Sequence, residues 1–300
     1  MKNTIALITF LFLAACSEGK QVLAATPEIE KIKLTSDQVQ ALPTATIPPT
    51  ARPVEPLPGK EVIPIDTMAK EIPWLPLDEK AIPWTTFIGI NSSVPPFDNP
   101  LVRKAFSQAI DRQRISDVDN SVGRNSSPAT KFIPPQVLGR DLYQAVGLDY
   151  NPKAAKKALT DAGFSDISSF PKVEIAFHET ATKLAEAYQY WWKSVLGVEV
   201  TLVPHKSEGF EYIDEIKPGL FIMFWQADYI DPQNFTYDTF LHPDAVYPKL
   251  EAPDFEKIIN LAKAAVNNPS ERQRLYIEAE KILCEDGVYV IPVTHRLRSK

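Results

Sequence analysis

The chain has 300 residues, of which 44% are hydrophobic and 23% charged, and its formal net charge is -6 at pH 7. This composition is typical of a globular protein with one substantial core. The acidic balance and the lack of a concentrated basic run argue against nucleic-acid binding. The two cysteines are too few to supply a thiolate metal site.

The N-terminus has the pattern of an export signal. MKNTIALITFLFLAAC places Lys2 before an apolar run, interrupted only at Thr9, that ends in LAAC. The run is far shorter than the roughly 20 residues that a membrane-spanning helix needs. LAAC resembles the lipobox of bacterial lipoproteins, which implies a signal peptide over residues 1–15 and a lipid on Cys16. The alternative is ordinary cleavage near Ala15 that leaves Cys16 free.

Proline is unusually frequent, and ten of the 27 prolines fall between Pro43 and Pro83. Proline removes a backbone donor and favours extended chain. Residues 16–60 are therefore predicted to form a disordered, semi-rigid tether, and residues 61–84 a proline-rich lead-in to the folded part.

Residues 85–300 have the alternating strand and helix patterns of an α/β domain. TFIGIN alternates like a strand, and PPFDNPLVRKAFSQAIDRQRI follows as a helix with Asn99 at its N-cap. YNPKAAKKALTDAGF repeats this arrangement, with Asn151 as the cap and Gly163 at the end of the helix.

The middle of this region predicts a pair of parallel strands. KVEIAF reads as a strand, TKLAEAYQYWWKSVLG as a helix that Gly197 ends, and VEVTLVP as a second strand, so a crossover connection is expected. LFIMFW has no polar alternation and predicts a strand covered on both faces. Residues 254–266 and 270–286 predict two helices, the second opened by Ser270 with Gln273 in capping-box spacing, and VYVIPVTH predicts a final strand.

The sequence contains no compact catalytic or metal-binding motif. The four histidines do not have the spacing of a metal-ligand set, and no Gly-rich phosphate loop or nucleophile elbow is present. We therefore expect no cofactor, no bound metal and no enzymatic activity, with Asp228 and Asp231 as paired catalytic carboxylates a weaker alternative. Cys284 is interpreted as a small buried hydrophobic residue.

The strongest candidate site is IMFWQADYIDPQNF, residues 222–235. Asp228, Tyr229 and Trp225 lie where an apolar strand ends, a position at which α/β proteins often contact ligands. A carboxylate there can pair with an ammonium group while the aromatic rings stack on the ligand and exclude water. A structural interpretation is equally compatible with the residue types, because Asp231 can begin a turn and Asp228 can cap neighbouring amides.

A family resemblance distinguishes between these interpretations. FIGINSSVPPFDNPLVRKAFSQAIDRQRI resembles a segment of the family 5 bacterial solute-binding proteins, the peptide and nickel receptors of ABC importers. PATKFIPP, YNPKAAKKALTDAGF, FWQADYIDPQNF and ERQRLYIEAEKILCEDGVYVIPV are similar to later segments of that family, in the same order. The resemblance implies an α/β fold of the type II, peptide-binding periplasmic-binding-protein class, with a mixed sheet flanked by helices.

The resemblance also implies roles for individual residues. In members that bind peptides, an aspartate in an Ala-Asp-Tyr element holds the N-terminal ammonium of the peptide, and Asp228 matches it. Trp225 matches an aromatic residue of the same pocket, and Tyr229 and Asn234 complete the predicted ligand-binding set. The implied partners are a small peptide or another cationic or zwitterionic solute, and an ABC transporter permease. The implied location is extracytoplasmic, anchored to the bacterial cell membrane through Cys16.

The resemblance is mainly to the second lobe of these receptors, which normally close two lobes on the ligand. We therefore expect a chain shortened to one lobe, which works with a separately encoded first lobe or descends from a complete receptor. The alternative is a protein-interaction module that derives from such a lobe and binds no small molecule.

Overall fold

The computed structural model describes the greater part of the predicted α/β region. The described residues are 81–121, 125–139, 146–206, 213, 217–245, 247, 250 and 252–299. The predicted signal peptide, Cys16 and the tether lie outside them, as does the lead-in up to residue 80. The first strand begins at Ala81, within the predicted lead-in.

A mixed β-sheet forms the centre of the described region. Its six strands are hydrogen-bonded in the order β2-β6-β1-β5-β3-β4. Strand β3 is parallel to β4 and β5, whereas β1 is antiparallel to β5 and β6. The parallel pairing of β3 with β4 confirms the predicted crossover. The strands are β1 (Ala81–Ile90), β2 (Ser126–Pro128), β3 (Val173–His178), β4 (Val200–His205), β5 (Leu220–Gln226) and β6 (Val290–Ser299).

Eight α-helices flank this sheet in the described part of the chain. The caps at Asn99 and Asn151 are as predicted, since the side chain of each accepts a backbone N–H of the first helical turn. Gly197 ends its helix in the left-handed conformation, with φ 76°. The helices are α1 (Pro100–Gln108), α2 (Arg112–Ser121), α3 (Pro135–Leu138), α4 (Pro152–Asp161), α5 (Thr182–Leu196), α6 (Pro232–Phe240), α7 (Pro253–Ala264) and α8 (Pro269–Lys281).

Each face of the sheet is covered by its own helical layer. Helices α1, α2, α4 and α5 pack on one face and α3, α6, α7 and α8 on the other. Neighbouring strand residues alternate between the layers, so that Phe87 joins the second core and Ile88 the first. This arrangement confirms the mixed sheet flanked by helices. Strand β5 is buried from Leu220 to Met223, as predicted, but Phe224 is 46% exposed, so its last part is not covered on both faces.

The helix predicted after Asn99 is in fact two helices, and buried Arg112 explains the break. Its guanidinium donates to the carbonyl oxygen of Ser107 at 3.2 Å. This bond satisfies one of the carbonyl groups that the C-terminal end of α1 leaves without a helical partner. The guanidinium also donates to Pro292 O in β6 at 2.7 Å. The backbone N–H of Arg114 bonds to Asp111 Oδ1 at 3.1 Å, which places a new cap before α2.

The predicted start of the last helix is also wrong. Helix α8 is capped by Asn268, whose Oδ1 accepts the backbone N–H of Glu271 at 3.2 Å, and not by Ser270 with Gln273. Proline at position 269 favours this start because it fits the first helical position, where no N–H is required. The helix ends at Lys281 and is followed by a wider π turn, Ile282–Asp286.

A buried polar cluster joins α8 to the sheet. The Glu280 carboxylate accepts the backbone N–H groups of Phe132 and Ile133 at 2.7 and 2.9 Å, and burial raises the pKa of this carboxyl to about 7. Burial lowers the pKa of His295 in β6 to about 3. The hydroxyl of Thr85 donates to Phe132 O, so His295 Nδ1 donates to Thr85 Oγ1 at 3.0 Å.

Cys284 is almost completely buried beside this cluster, in agreement with its interpretation as a small hydrophobic residue. Burial raises the pKa of its thiol. The thiol is therefore held in its protonated, unreactive form.

Candidate ligand-binding site

The predicted site lies at one edge of the sheet. Strands β3, β4 and β5 are parallel, so their carboxyl ends meet at this edge. Strand β1 runs the other way and brings Trp84 opposite Gln226, and Trp84 also pairs with Arg296 near the end of β6. Residues from both ends of the folded region therefore lie beside the segment that carries Asp228.

The loop that leaves β5 exposes Asp228, Tyr229 and Ile230 to solvent. Its start is fixed by a hydrogen bond from Ala227 N to Pro83 O at 2.9 Å. Tyr229 is 44% exposed and Ile230 is 61% exposed. The Asp228 carboxylate is exposed too and forms no ion pair with any residue in the described ranges. It is therefore accessible to a cationic group from outside.

The side chain of Asn234, in α6, holds this loop through hydrogen bonds to Asp228. Its side chain is buried in α6, with only 1% exposed. Its Oδ1 accepts Trp225 Nε1 at 3.0 Å and the backbone N–H of Asp228 at 3.1 Å. Its Nδ2 donates to carboxylate oxygens of Asp228 at 3.2 Å and Asp238 at 3.3 Å. The structure thus brings Trp225, Asp228 and Asn234 together, with the Asn234 amide bonded to groups of the protein itself.

The aromatic residues of the predicted site differ in their surroundings. Tyr229 donates a hydrogen bond to Asp238 from its hydroxyl. Burial and this bond raise the pKa of the Tyr229 phenol, so it remains neutral at physiological pH. Trp225 is half-buried, and its ring lies 5.8 Å from that of Tyr247. Tyr229 thus offers an exposed ring, whereas Trp225 packs partly against the second core.

Asp231 ends the loop with two separate interactions. Its Oδ1 accepts the backbone N–H of Gln233 at 2.7 Å, which caps α6. Its two carboxylate oxygens also accept hydrogen bonds from Nη1 and Nη2 of Arg272, at 3.0 and 2.8 Å. The expectation that Asp231 begins a turn therefore agrees with its position, and the ion pair to α8 adds a second function.

Three residues at this edge were not identified from the sequence. Asp238 follows Asn234 by one helical turn, and helical spacing could have indicated it. Arg272 is distant in the sequence and offered no local signal. The guanidinium carbon of Arg296 lies 3.9 Å from the ring centroid of Trp84. The Trp84 ring stacks on exposed Phe224, with 4.3 Å between the ring centroids. These residues lie in different strands, so only the strand register reveals the stack.

Two kinds of feature are absent from the described residues. No helix there is long and apolar enough to cross a membrane. In the same ranges no group of three or more histidine, cysteine, aspartate or glutamate side chains could hold a metal ion.

The family model of bacterial extracellular solute-binding proteins, family 5, middle region, matches residues 39–246, which is more than half of the chain. The chain belongs to this family. The matched residues include Trp225, Asp228, Tyr229 and Asn234.

Individual relatives agree with this membership. The oligopeptide-binding protein OppA of Bacillus subtilis is 31% identical over 208 residues, which are 65% of this chain and 37% of OppA. The periplasmic oligopeptide-binding protein OppA of Salmonella typhimurium is 27% identical over 250 residues, 79% of this chain and 45% of that protein. The crystal structure of a periplasmic oligopeptide-binding protein, OppAIV, from Borrelia burgdorferi has 25% identity and a TM-score of 0.62, covering 72% of this chain and 43% of that one. The chain spans less than half of the length of these relatives.

Proposed function

We propose that the protein is a lipid-anchored, extracytoplasmic solute-binding component of an ABC import system and that its solute is a short peptide. Family membership supports a solute-binding role, and the oligopeptide-binding proteins among its relatives support a peptide as the solute. The LAAC sequence supports a lipid on Cys16 and hence a location at the outer face of the cell membrane.

The observation that carries this proposal is the environment of Asp228. Its carboxylate is exposed at the sheet edge, is oriented by Asn234 Nδ2 at 3.2 Å, and forms no ion pair with a described residue. An ammonium group that docks here gains a charge-assisted hydrogen bond. Tyr229 supplies an exposed ring that covers this contact and reduces its access to water. Asn234 and Trp225 act behind the ligand, by holding Asp228 and the loop.

A single wall leaves a bound peptide open to solvent on its other side. The described residues form one wall of this site, and we infer that a separately encoded first lobe supplies the second. Delivery of the peptide then requires a transporter permease as a further partner. The solute class extends to other cationic or zwitterionic compounds that present an ammonium group.

The experiment that tests this function is calorimetric titration of the full chain, alone and with any first lobe encoded nearby, with peptides that have free or acetylated N-termini. Asp228→Asn keeps the shape but removes the charge, so affinity for free peptides is expected to fall roughly ten- to a hundredfold, the range for a hydrogen bond to a charged group. Asp244→Asn is the matched control, because Asp244 is a highly exposed aspartate in a separate loop. Binding that is indifferent to both acetylation and Asp228→Asn contradicts the ammonium role.

An interaction module is the alternative function, and the exposed apolar side chains of the same edge favour it. Phe224, Tyr229 and Ile230 are all well exposed beside Asp228. Such a group of apolar side chains is typical of a docking surface. This alternative predicts that Ile230→Asp abolishes binding to a protein partner, while no peptide binds with or without an acetylated N-terminus.

A further inference from the structure

The exposed loop at the sheet edge has a strong anchor at its far end. This site loop, residues 228–231, begins just after the bond from Ala227 N to Pro83 O and ends at Asp231. Arg272 in α8 donates from Nη1 and Nη2 to the two oxygens of Asp231 at 3.0 and 2.8 Å. Bidentate, charge-assisted bonds of this kind are stronger and more directional than single neutral ones.

The surroundings of Arg272 strengthen this anchor. The side chains of Arg272 and Asp231 are only 20% and 31% exposed, so solvent and salt screen the pair less than an exposed one. Nη2 also donates to the hydroxyl of Tyr276, one helical turn later, at 3.1 Å. The hydrogen bond to Asp231 raises the pKa of the Arg272 guanidinium. Arg272 is thus fixed on its own helix and presents a rigid pair of donors to the loop.

The anchor is coupled to Asp228 through the first turn of α6. Asp231 caps that helix through the backbone N–H of Gln233, and its carbonyl oxygen accepts the backbone N–H of Asn234 at 3.1 Å. Asn234 in turn holds the backbone and the carboxylate of Asp228 at 3.1 and 3.2 Å. A shift of Asp231 therefore displaces the amide that orients Asp228.

We propose that Arg272 is a positioning residue of the ligand site, which acts through Asp231 to hold the site loop in its binding conformation. This inference rests on the proposed function, since it states what orders the loop that receives the ligand. A loop that is ordered before binding loses less conformational entropy when the ligand arrives. Loss of Arg272 is therefore expected to weaken binding even though Arg272 does not touch the ligand.

The test uses the full chain with Arg272→Ala and Arg272→Lys. Arg274→Ala is the matched control, because Arg274 lies in the same helix and pairs with Glu271 and Glu278 at 2.8 Å without contacting the loop. Arg272→Lys keeps the charge but cannot form the bidentate contact, and it serves as the test if Arg272→Ala does not fold.

The first readout is the order of the loop without any ligand. Arg272→Ala is expected to speed hydrogen exchange at the Asp228 amide about tenfold and to move the indole N–H signal of Trp225, with a smaller effect for Arg272→Lys. Trp225→Phe identifies that signal among the five tryptophans. Exchange in both Arg272 variants that equals exchange in Arg274→Ala overturns the proposal.

The second readout is peptide affinity in the calorimetric titration. Arg272→Ala is expected to bind free-N-terminus peptides about tenfold more weakly than Arg274→Ala does. Equal affinities overturn the positioning role. If the wild-type protein binds none of the peptides, the proposed function fails, and the exchange measurement by itself then supports or overturns the ordering of the loop by Arg272.

Discussion

Asn234 holds Asp228 at two points, since its Oδ1 accepts the backbone N–H of Asp228 at 3.1 Å and its Nδ2 donates to the carboxylate at 3.2 Å. The two bonds fix both the path of the loop and the direction of the carboxylate. Asn234 is itself buried in α6, so Asp228 is exposed to solvent but attached to the rigid core. Under the proposed function, the Asp228 carboxylate is preorganised for a ligand by residues that the ligand does not reach.

The first prediction concerns Asn234→Ala. The substitution leaves the indole N–H of Trp225 and the backbone N–H of Asp228 without their acceptor, so the free energy of unfolding is expected to fall by about 2 to 3 kcal/mol. Urea denaturation measures this loss. Gln233→Ala, one residue earlier and partly exposed, is the control and is expected to change stability by less than about 0.5 kcal/mol. Equal effects of the two substitutions contradict the organising role of Asn234.

The second prediction concerns pH and His295. Its folded pKa of about 3 lies below the ordinary value of about 6.5, so between these values only the unfolded chain binds the proton. Stability contributed by neutral His295 is therefore fully present above pH 6.5 and is lost as the pH falls towards 3. His295→Asn keeps a donor for Thr85 and removes this dependence.

The measurement for His295 is urea denaturation of both proteins from pH 7 to pH 4. The wild-type free energy of unfolding minus that of His295→Asn is expected to fall by up to about 1.4 kcal/mol for each unit by which the pH is lowered. Glu280, whose folded pKa is raised to about 7, contributes a slope of opposite sign in both proteins, and it cancels when the two curves are subtracted. Parallel curves for the two proteins refute this role of His295.

The third prediction separates the two possible caps of α8. Asn268→Ala removes the acceptor of Glu271 N and is expected to cost about 1 kcal/mol. Ser270→Ala changes an exposed residue inside the helix and is expected to cost less than about 0.5 kcal/mol. Thermal or urea unfolding distinguishes them. A greater loss for Ser270→Ala supports the capping box that the sequence suggested.

The fourth prediction concerns the lipid on Cys16. In a bacterial host the protein is expected to partition into detergent with the membranes, because each buried methylene of the acyl chains contributes about 0.8 kcal/mol. Cys16→Ala is expected to release the protein or to leave it unprocessed, whereas Cys284→Ala, which changes the buried cysteine, is expected to leave partitioning unaltered. A processed Cys16→Ala protein that still partitions with membranes rules out the anchor.

Several features that the sequence predicted correctly have local causes. Asn99 and Asn151 precede prolines at the starts of their helices, and a cap needs only the next few residues. The break after α1 depends instead on Arg112, which bonds to Pro292 O in a strand that is remote in the sequence. No local pattern contains that information.

The candidate site shows the same limit. Residue types and family resemblance predicted a ligand site at Trp225, Asp228, Tyr229 and Asn234, and the structure places these residues at one edge of the sheet. They could not show that the amide of Asn234 bonds to its own chain, because an asparagine can bond to a ligand equally well. Arg272 was missed because its partner Asp231 is the N-cap of another helix and only the packed fold brings the two together.

The position of β6 between β2 and β1 determines when the sheet can be completed. Both neighbours keep an unpaired hydrogen-bonding edge until the residues from Val290 onwards have left the ribosome. Pairing then closes a loop that extends back to Ala81, and contacts of such long sequence separation form slowly. The sheet of the nascent chain therefore stays incomplete until the strand that begins at Val290 has been made, and chaperones can bind a chain in this state.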